Sequence, residues 1–376
     1  MKKCVACLLA LSIFVFALPF SAAAEPSVSA LAAVLIDADT GAVLYAKNEN
    51  TRLAMASTTK IMTALLALES EKRNEQFVVD SNAIRVEGSS MGLIEGDVVS
   101  LDALAVGMLM LSGNDAANAA AIKISGSIES FAKKMNERAA LIGMKNTSFV
   151  TPSGLDNENH YSTAYDMALL GAEAIKNARF LQICSKPKYT VSFGKEKSRR
   201  TFYNHNRLVK EVEGCIGIKT GFTKKAGRCL VSAVRREGRT LVCVTLKAPS
   251  DWQDHKNLYS YGFSLYTKSD ADIGKIAPLK IVNSEKTEIA VAPFETPSLY
   301  LRRGEKLETQ VFMRPFEYAP VYSGQIVGRL VFEIDGKAIF ETELVASESA
   351  HAKKEMIEPR PLNIFEKFVQ FIKSLF

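Results

Sequence analysis

The sequence is poor in the residues that build metal and redox sites. It has only four histidines, and they are scattered along the chain, so no zinc site is expected. Past residue 24 the chain has four cysteines: Cys184, Cys215, Cys229 and Cys243. No two of them form a C-x-x-C pair, so the sequence gives little support to a metal or redox centre. Cys229 and Cys243 lie on the two arms of a predicted hairpin around Glu237 and Gly238. In the predicted register Cys243 faces Ser232 rather than Cys229, so we expect buried thiols and no disulfide between these arms.

The sequence also lacks a long basic block. Its formal net charge is only +6 over 376 residues, whereas proteins that bind nucleic acid usually concentrate Lys and Arg in one patch or stripe. A nucleic-acid partner is therefore not expected. Hydrophobic residues make up 47% and charged residues 23%, a composition typical of folded globular proteins. The length is sufficient for two or three domains.

The N-terminal segment has the composition of a secretory signal. A lysine pair precedes an apolar run from Val5 to Phe20, and the small residues Ala22 and Ala24 favour cleavage before Glu25. We therefore expect residues 1–24 to be a signal peptide and the protein to be exported. An uncleaved membrane anchor is the alternative interpretation of the same run.

Residues 25–274 are predicted to form a domain of the α+β class. Alternating apolar residues and turn signals predict strands at 32–46, 215–223, 228–236 and 239–247. Helical periodicity is found after Ser57, at 101–142 with a break at 112–114, and at 162–177 and 251–266. An early hairpin, a helical middle and a late meander are typical of an antiparallel sheet between helices.

The pattern changes near residue 275. Short strands separated by turn signals predict a small all-β domain at 275–345, with Asp335-Gly336 as a two-residue hairpin turn. Residues 346–361 are polar and contain Pro359 and Pro361, as linkers do. We find no internal repeat.

Residues 362–376 are strongly amphipathic. At ~100° per residue, four Phe and the Leu, Ile and Val residues fall on one half of a helical wheel, and the polar residues fall on the other. The segment is shorter than the ~20 apolar residues that a span requires. We therefore expect a helix that lies in the membrane interface and holds the protein peripherally at the outer face of the cytoplasmic membrane. A helix docked on the protein's own surface, or on a partner, is the alternative.

The first candidate catalytic pair is Ser57 and Lys60, in the segment "ASTTKIMTALLALE". Three positions apart at a helix start, they share one face. A Ser hydroxyl becomes a good nucleophile when a nearby base takes its proton. A Lys can be that base when burial and positive potential lower its pKa, and a helix N-terminus supplies such potential. Taken alone, the S-x-x-K spacing also fits an ordinary helix start with a surface Lys.

Two later tripeptides change the interpretation of this pair. In "SGN", Ser112 is a candidate proton relay and Asn114 a candidate partner for a substrate amide. In "KTG", Lys219 and Thr220 are candidates to bind a carboxylate, and Gly221 leaves room for a close backbone approach. Each tripeptide is common by chance. All three in this order, with S-x-x-K at a helix start and KTG in a strand, are typical of the Ser–Lys acyl-transfer site of penicillin-interacting enzymes.

Longer segments around the motifs resemble the low-molecular-mass penicillin-binding proteins, which are serine-type D-alanyl-D-alanine carboxypeptidases (peptidase S11). The similar segments include "LIDADTGAVLYAKN", "MLMLSGNDAANAAA", "GMKNTSFVTPSGLD" and "GIKTGFTKKAGRCLVSAV". The resemblance implies a transpeptidase/β-lactamase-like catalytic domain that removes the terminal D-Ala from peptidoglycan pentapeptide stems. It also implies covalent inhibition by β-lactam antibiotics and no need for a metal or organic cofactor.

The resemblance also implies a role for each motif residue. By this resemblance Ser57 is the nucleophile and Lys60 is the general base. Ser112 is the proton relay, and Asn114 supplies an amide in the wall of the cleft. The terminal carboxylate of the stem peptide is bound by the KTG residues Lys219, Thr220 and Gly221. The oxyanion hole consists of the backbone N–H groups of Ser57 and Phe222.

One position departs from the family pattern. The best-known Gram-negative relatives carry a His where this chain has Ser153, so the role of that His is not transferred. Asp166 and His205 are interpreted as structural.

Three other functions are alternatives to D-alanyl-D-alanine carboxypeptidase activity. A serine β-lactamase shares the three motifs, but the E-x-x-L-N segment of the class A enzymes is absent. A non-catalytic wall-binding protein has no reason to keep the motif residues intact. A Ser-His-Asp hydrolase is disfavoured because no G-x-S-x-G elbow surrounds a Ser near a helix start.

Overall fold

The computed structural model describes residues 25–270 and 273–353, together with residues 367, 369, 373 and 374. They divide into two compact units, which we call unit 1 (to Thr267) and unit 2 (from Lys268). The predicted signal peptide and, apart from those four isolated positions, the predicted anchor helix lie outside the described residues. Within the described ranges, no helix is long and apolar enough to cross a bilayer.

Unit 1 mixes strands and helices. Its elements are, in chain order, β1 (Ala32–Asp37), β2 (Val43–Lys47), a 3-10 turn (Ala56–Thr59), α1 (Lys60–Glu69), β3 (Phe77–Val78), β4 (Val98–Val99), α2 (Leu101–Leu111), α3 (Asn114–Ser125), α4 (Ile128–Ile142), α5 (Ala164–Ala174), α6 (Ala178–Cys184), β5 (Lys188–Phe193), β6 (Ser198–Tyr203), α7 (Leu208–Glu211), β7 (Cys215–Thr223), β8 (Gly227–Arg236), β9 (Arg239–Leu246) and α8 (Asp251–Ser264).

Five antiparallel strands in the order β2-β1-β9-β8-β7 form the central sheet. Successive side chains of a strand point to opposite faces, and helices cover both faces. Gly171 of α5 packs against Val231 and Val242, whereas His255 of α8 hydrogen-bonds with Ser232, the next residue along β8. The predicted antiparallel sheet between helices is therefore confirmed, and so is the register that places Cys243 opposite Ser232.

The helical region from 101 to 142 contains one more break than the sequence analysis predicted. The expected break falls at Ser112 and Gly113. The second falls at Gly126, whose φ of +76° ends α3, and at Ser127, whose hydroxyl accepts from the N–H of Ser130 and caps α4. Both are the residue types that these positions favour. The hairpin β5–β6 was also not predicted: apolar and polar residues alternate along β5, but β6 carries two adjacent arginines and shows no such alternation.

Helix α1 lies in the core of unit 1. Every residue from Lys60 to Leu68 is buried, and the helix packs against α2, α3 and α5. A helix that is apolar on all sides is stable only in such an interior position, and each buried Leu or Ile contributes ~1.5–3 kcal/mol. The same packing carries the first residue of the helix, Lys60, into the protein interior.

Between residues 273 and 353 the described part of unit 2 is built from strands, as predicted for its β domain. Its strands are β10 (Tyr266–Asp270, which begins at the end of unit 1), β11 (Leu279–Val282), β12 (Glu288–Ile289), β13 (Val291–Pro293), β14 (Ser298–Arg302), β15 (Leu307–Met313), β16 (Phe316–Tyr318), β17 (Ile326–Ile334) and β18 (Lys337–Ala346).

The hairpin turn at Asp335-Gly336 joins β17 to β18, which confirms its prediction. The first residues of the predicted linker, which was expected at 346–361, pair with other segments of unit 2. Ala350 is bridged to Val321, and both residues are buried.

Candidate active site

The two candidate catalytic serines lie at strained points of the backbone. Ala56, directly before Ser57, has a φ of +48°, and Ser112 itself has a φ of +63° at the end of α2. Non-glycine residues in this region cost on the order of 1–3 kcal/mol and persist only where the surroundings hold them. Ser57 follows such a residue within the 3-10 turn that leads into the buried helix α1.

Lys60 is completely buried, and its amine contacts three oxygen atoms. Its Nζ lies 2.9 Å from Ser57 Oγ, 2.7 Å from Asn114 Oδ1 and 2.6 Å from the Ser153 carbonyl oxygen. Carbonyl oxygens only accept hydrogen bonds, whereas a hydroxyl can also donate. A neutral amine that donates its two N–H groups to the two carbonyls directs its lone pair at the Ser57 hydroxyl. This is the arrangement that a general base requires.

The electrostatics of the site favour the neutral amine. Burial holds the pKa of Lys60 well below its ordinary value of 10.5, the positive charge of Lys219 lowers it further, and Asp115 opposes the shift. A buried amine loses the hydration that stabilises its charged form. The sequence predicts that burial and the positive potential of the helix terminus lower this pKa. In the structure a second lysine supplies positive potential.

The "SGN" motif joins the end of α2 to the start of α3. Asn114, the first residue of α3, uses its Oδ1 to accept from Lys60 and its Nδ2 to donate to the Glu87 carbonyl at 2.6 Å. The neighbouring Asp115 accepts hydrogen bonds from three consecutive backbone N–H groups at 91–93. Asn114 therefore orients the Lys60 amine, and its contact with a substrate amide stays a prediction.

The "KTG" motif lies on β7, next to the turn that carries Ser57. Lys219 is 1% exposed, its Nζ donates to the Thr220 carbonyl at 2.8 Å, and burial lowers its pKa to about 7. A Cβ added at Gly221 would lie only 3.0 Å from the backbone nitrogen of Ser57. Glycine is thus required for the strand to pass this close to the turn. The approach brings the backbone of Gly221, the residue before Phe222, beside that of Ser57.

One cavity of about 300 Å³ is lined by residues of all three motifs. They are Ser57 from the first motif, Ser112 from the second, and Thr220 and Gly221 with the adjoining Phe222 from the third. A concavity of about 610 Å³ around Arg73 and Arg179 is larger, but none of the motif residues lines it. We therefore take the smaller cavity as the candidate active site.

The far wall of this cavity was not predicted. It includes His205, Arg228, Asp251 and Trp252. The Arg228 Nε donates to Asp251 Oδ1 at 2.9 Å, and its guanidinium lies over the Trp252 ring. His205, interpreted from the sequence as structural, lines the cavity, and burial and Lys219 lower its pKa. These residues come from segments distant from the motifs, so no spacing in the sequence predicts them at the site. Trp252, the single Trp of the chain, is the one residue whose type draws attention to this region.

The segment after α4 contributes backbone rather than side chains. Ser153, at the position of the family His, contacts Lys60 through its carbonyl oxygen. Asp166 accepts from the Asn146 N–H and the Thr147 hydroxyl, each at 2.7 Å, as expected of a structural residue. Among the described residues, no group of three or more His, Cys, Asp or Glu could hold a metal ion.

Comparisons with known families match both parts of the chain. Residues 20–250 match the family described as D-alanyl-D-alanine carboxypeptidase, peptidase S11. Residues 263–352 match the C-terminal domain of penicillin-binding protein 5.

Individual relatives are similar over most of their length. D-alanyl-D-alanine carboxypeptidase DacF of Bacillus subtilis is 34% identical over 340 residues, which cover 85% of each chain. DacC of Escherichia coli is 33% identical over 365 residues, covering 90% of this chain and 89% of that protein.

Two solved structures are similar in fold as well as in sequence. The carboxypeptidase DacD from Francisella tularensis has a TM-score of 0.62 and 27% identity, over 88% of this chain and 95% of that one. The DD-transpeptidase of Streptomyces K15 has a TM-score of 0.61 and 32% identity, over 64% of this chain and 99% of that one.

Proposed function

The chain belongs to the D-alanyl-D-alanine carboxypeptidase family, peptidase S11, and we propose that Ser57 is the nucleophile with which this serine DD-carboxypeptidase removes the terminal D-Ala of peptidoglycan pentapeptide stems. The observation that carries the proposal is the 2.9 Å contact between Ser57 Oγ and the buried amine of Lys60. The cavity beside it, lined by all three motifs, receives the end of the peptide.

Binding places the substrate's terminal carboxylate at the KTG motif. Lys219 and Thr220 are suited to this role because a buried cation and a hydroxyl form strong, charge-assisted hydrogen bonds with a carboxylate. Binding also lets the Lys219 amine exist as its charged form, which burial alone disfavours. The scissile carbonyl then lies beside the Ser57 turn, with its oxygen at the backbone N–H groups of Ser57 and Phe222. Each such donor stabilises the tetrahedral intermediate by ~2.7–4 kcal/mol.

Acylation moves one proton from the Ser57 hydroxyl, by way of Lys60, to the departing D-Ala nitrogen. The Ser57 oxygen attacks the carbonyl carbon of the D-Ala–D-Ala bond while its proton passes to the Lys60 amine. The tetrahedral intermediate collapses as the C–N bond breaks, and the departing nitrogen takes the proton now held by Lys60, with Ser112 as the relay. D-Ala leaves, and the remaining peptide is held as an ester on Ser57.

Deacylation repeats the sequence with water. The oxygen of the water attacks the ester carbon while Lys60 takes a proton from the water. Lys60 then gives this proton to the Ser57 oxygen as the C–O bond breaks. Because this chain has Ser153 where the best-known Gram-negative relatives carry a His, we assign the base for this step to the oriented Lys60 amine as well. β-Lactam antibiotics acylate the same Ser57 oxygen and act as covalent inhibitors.

The proposal is tested by D-Ala release from a pentapeptide substrate, together with mass spectrometry of a penicillin adduct. The wild type should release D-Ala and gain one penicillin mass on the peptide that contains Ser57. Ser57→Ala should do neither. Equal D-Ala release by Ser57→Ala would contradict the proposal. A rapidly hydrolysed adduct would instead indicate a β-lactamase.

We further propose that the enzyme is exported and held peripherally at the outer face of the cytoplasmic membrane. The support is the sequence pattern of two segments: residues 1–24 have the lysine pair and apolar run typical of a signal peptide, and residues 362–376 have the amphipathic pattern typical of an interfacial helix. Deleting residues 362–376 should move the enzyme from the membrane fraction to the soluble fraction without loss of D-Ala release. Unchanged fractionation would contradict the anchor.

A further inference from the structure

One buried side chain ties the 150–154 loop to the turn that precedes α1. His160 is 3% exposed and lies between the two pieces of chain. Its Nδ1 accepts from the N–H groups of Val150 at 2.9 Å and Thr151 at 3.3 Å. Its Nε2 lies 2.8 Å from Thr59 Oγ1.

These contacts determine the tautomer of the ring. Because Nδ1 faces two backbone N–H donors, it carries no proton, and the single N–H of the neutral ring is on Nε2. That N–H donates to Thr59 Oγ1, and the Thr59 hydroxyl donates in turn to the Ala56 carbonyl at 2.8 Å. A continuous chain of hydrogen bonds therefore runs from the loop to the residue directly before Ser57.

The loop held in this way supplies one of the two carbonyls that orient the Lys60 amine. The Ser153 oxygen lies 2.6 Å from Lys60 Nζ. The loop also packs tightly on the turn, since a Cβ at Gly154 would lie 2.0 Å from the Ala56 oxygen. Because Ser153 acts through its backbone, its position depends on how the loop is held and not on its own side chain.

We propose that His160 is a positioning residue for acyl transfer, which holds the Ser153 carbonyl at the Lys60 amine and so directs the lone pair of that amine at Ser57. The inference rests on the proposed roles of Ser57 and Lys60. Without the tie, the carbonyl moves away, the amine loses one of its two acceptors, and water reaches it. The carboxylate site at Lys219 is not contacted by His160, so the effect falls on chemistry and not on binding.

The test replaces one ring nitrogen at a time. His160→Asn can accept from Val150, and His160→Gln can donate to Thr59, but neither can do both. We expect the rate constant for penicillin acylation to fall roughly 10- to 100-fold in each, with an unchanged half-saturation concentration.

The pH profile of acylation supplies a readout that a merely structural role would not move. We expect its acid limb to move to higher pH in both His160 variants, because hydration reverses the burial that lowers the pKa of Lys60. The other charged groups that act on Lys60 are Lys219 and Asp115. Both are present in the wild type and in the two His160 variants, so they do not cause the difference in pH profile.

A matched pair and a matched control separate positioning from general destabilisation. Thr59→Val removes the hydroxyl that His160 contacts and should slow acylation, and Thr59→Ser should restore it relative to Val. His255 is also fully buried and bridges two hydroxyl groups, Ser232 Oγ at 2.7 Å and Thr245 Oγ1 at 3.0 Å. His255→Gln should leave the acylation rate unchanged.

The outcomes distinguish this inference from the proposed function. Folded His160 variants that acylate at the wild-type rate, or an equal slowing by His255→Gln, would overturn it. If the His160 variants do not fold, equal rates for Thr59→Val and Thr59→Ser would overturn it. Ser57→Ala in the same assay tests the proposed function alone, since any adduct that persists there means that Ser57 is not the nucleophile.

Discussion

The two units bury different kinds of side chain. Unit 1 encloses Lys60, Lys219 and Asp115, whereas the buried polar residues in the described part of unit 2 are Ser284 and Thr342. Burying an amine costs free energy of folding, and unit 1 accepts that cost at the point where three motifs meet. Buried, pKa-shifted groups in a cleft mark a functional site. In unit 2 the described interior is built for packing.

The largest expected effect comes from Lys60→Met. Loss of the general base should reduce penicillin acylation roughly 10²- to 10⁴-fold, because Met of similar length cannot accept the Ser57 proton. Stopped-flow acylation measures it, with circular dichroism as the control for folding. Acylation within tenfold of wild type would show that the amine is not the base and would remove the reason for burying it.

Lys219→Met should separate activity from stability. Truncating one partner of a buried charge pair costs 2 kcal/mol or more, so we expect kcat/KM for the pentapeptide to fall roughly 30-fold or more. The same change removes a buried amine whose pKa is lowered to about 7, so the free energy of unfolding should rise by ~1–4 kcal/mol. Urea denaturation measures it. A less stable variant would contradict the idea that unit 1 sacrifices stability for this group.

The pH dependence of stability should also differ between the units. Burial lowers the pKa of His160 to about 4 and that of His255 to about 3, from 6.5. As the pH falls from 6.5 towards 4, the unfolded chain takes up protons that folded unit 1 excludes. The free energy of unfolding therefore falls in this window, by ~1.4 kcal/mol per unit of pKa difference.

The fluorescence of Trp252, the single Trp of the chain, follows the unfolding of unit 1. Its urea midpoint should be lower at pH 4.5 than at pH 7. His255→Gln is the control, because it removes one of the two groups and should weaken the dependence. An unchanged midpoint would show that the two histidines are not buried as neutral rings.

The smallest effect is expected on the surface of unit 2. Phe294 is 72% exposed, so Phe294→Ser should change the free energy of unfolding by no more than ~0.5 kcal/mol and leave acylation unchanged. Phe332 is fully buried in the same unit, and Phe332→Ala should cost ~3–5 kcal/mol. Thermal denaturation of the two variants compares them. A comparable loss in both would mean that Phe294 is covered in solution.

The sequence predicted what depends on short spacing. Ser57 and Lys60 are three residues apart, and the hairpin at Glu237-Gly238 places Cys243 opposite Ser232, so local geometry alone decides both. Spacing also predicted the three motifs, although their meeting at one cavity depends on the fold. The similarity of longer segments to a known family predicted that the three motifs meet at one site.

What could not be predicted depends on backbone atoms and distant contacts. The Ser153 carbonyl at Lys60 has no side-chain signal, since any residue at that position has a carbonyl. His160 is 101 positions from Thr59 in sequence, and no periodicity links them. The second helix break, at Gly126, was missed although the residue types were present, because the helical pattern on both sides continues in phase.

The most direct test of the account is the pKa of the Lys60 amine in the free enzyme. An NMR titration of the ¹⁵N-labelled Lys side chains, with Lys60→Met to assign the signal, measures it. We expect a pKa well below the ordinary value of 10.5, with the amine neutral at the pH where the enzyme acylates. A Lys60 that titrates at its ordinary value would contradict its role as the base for Ser57.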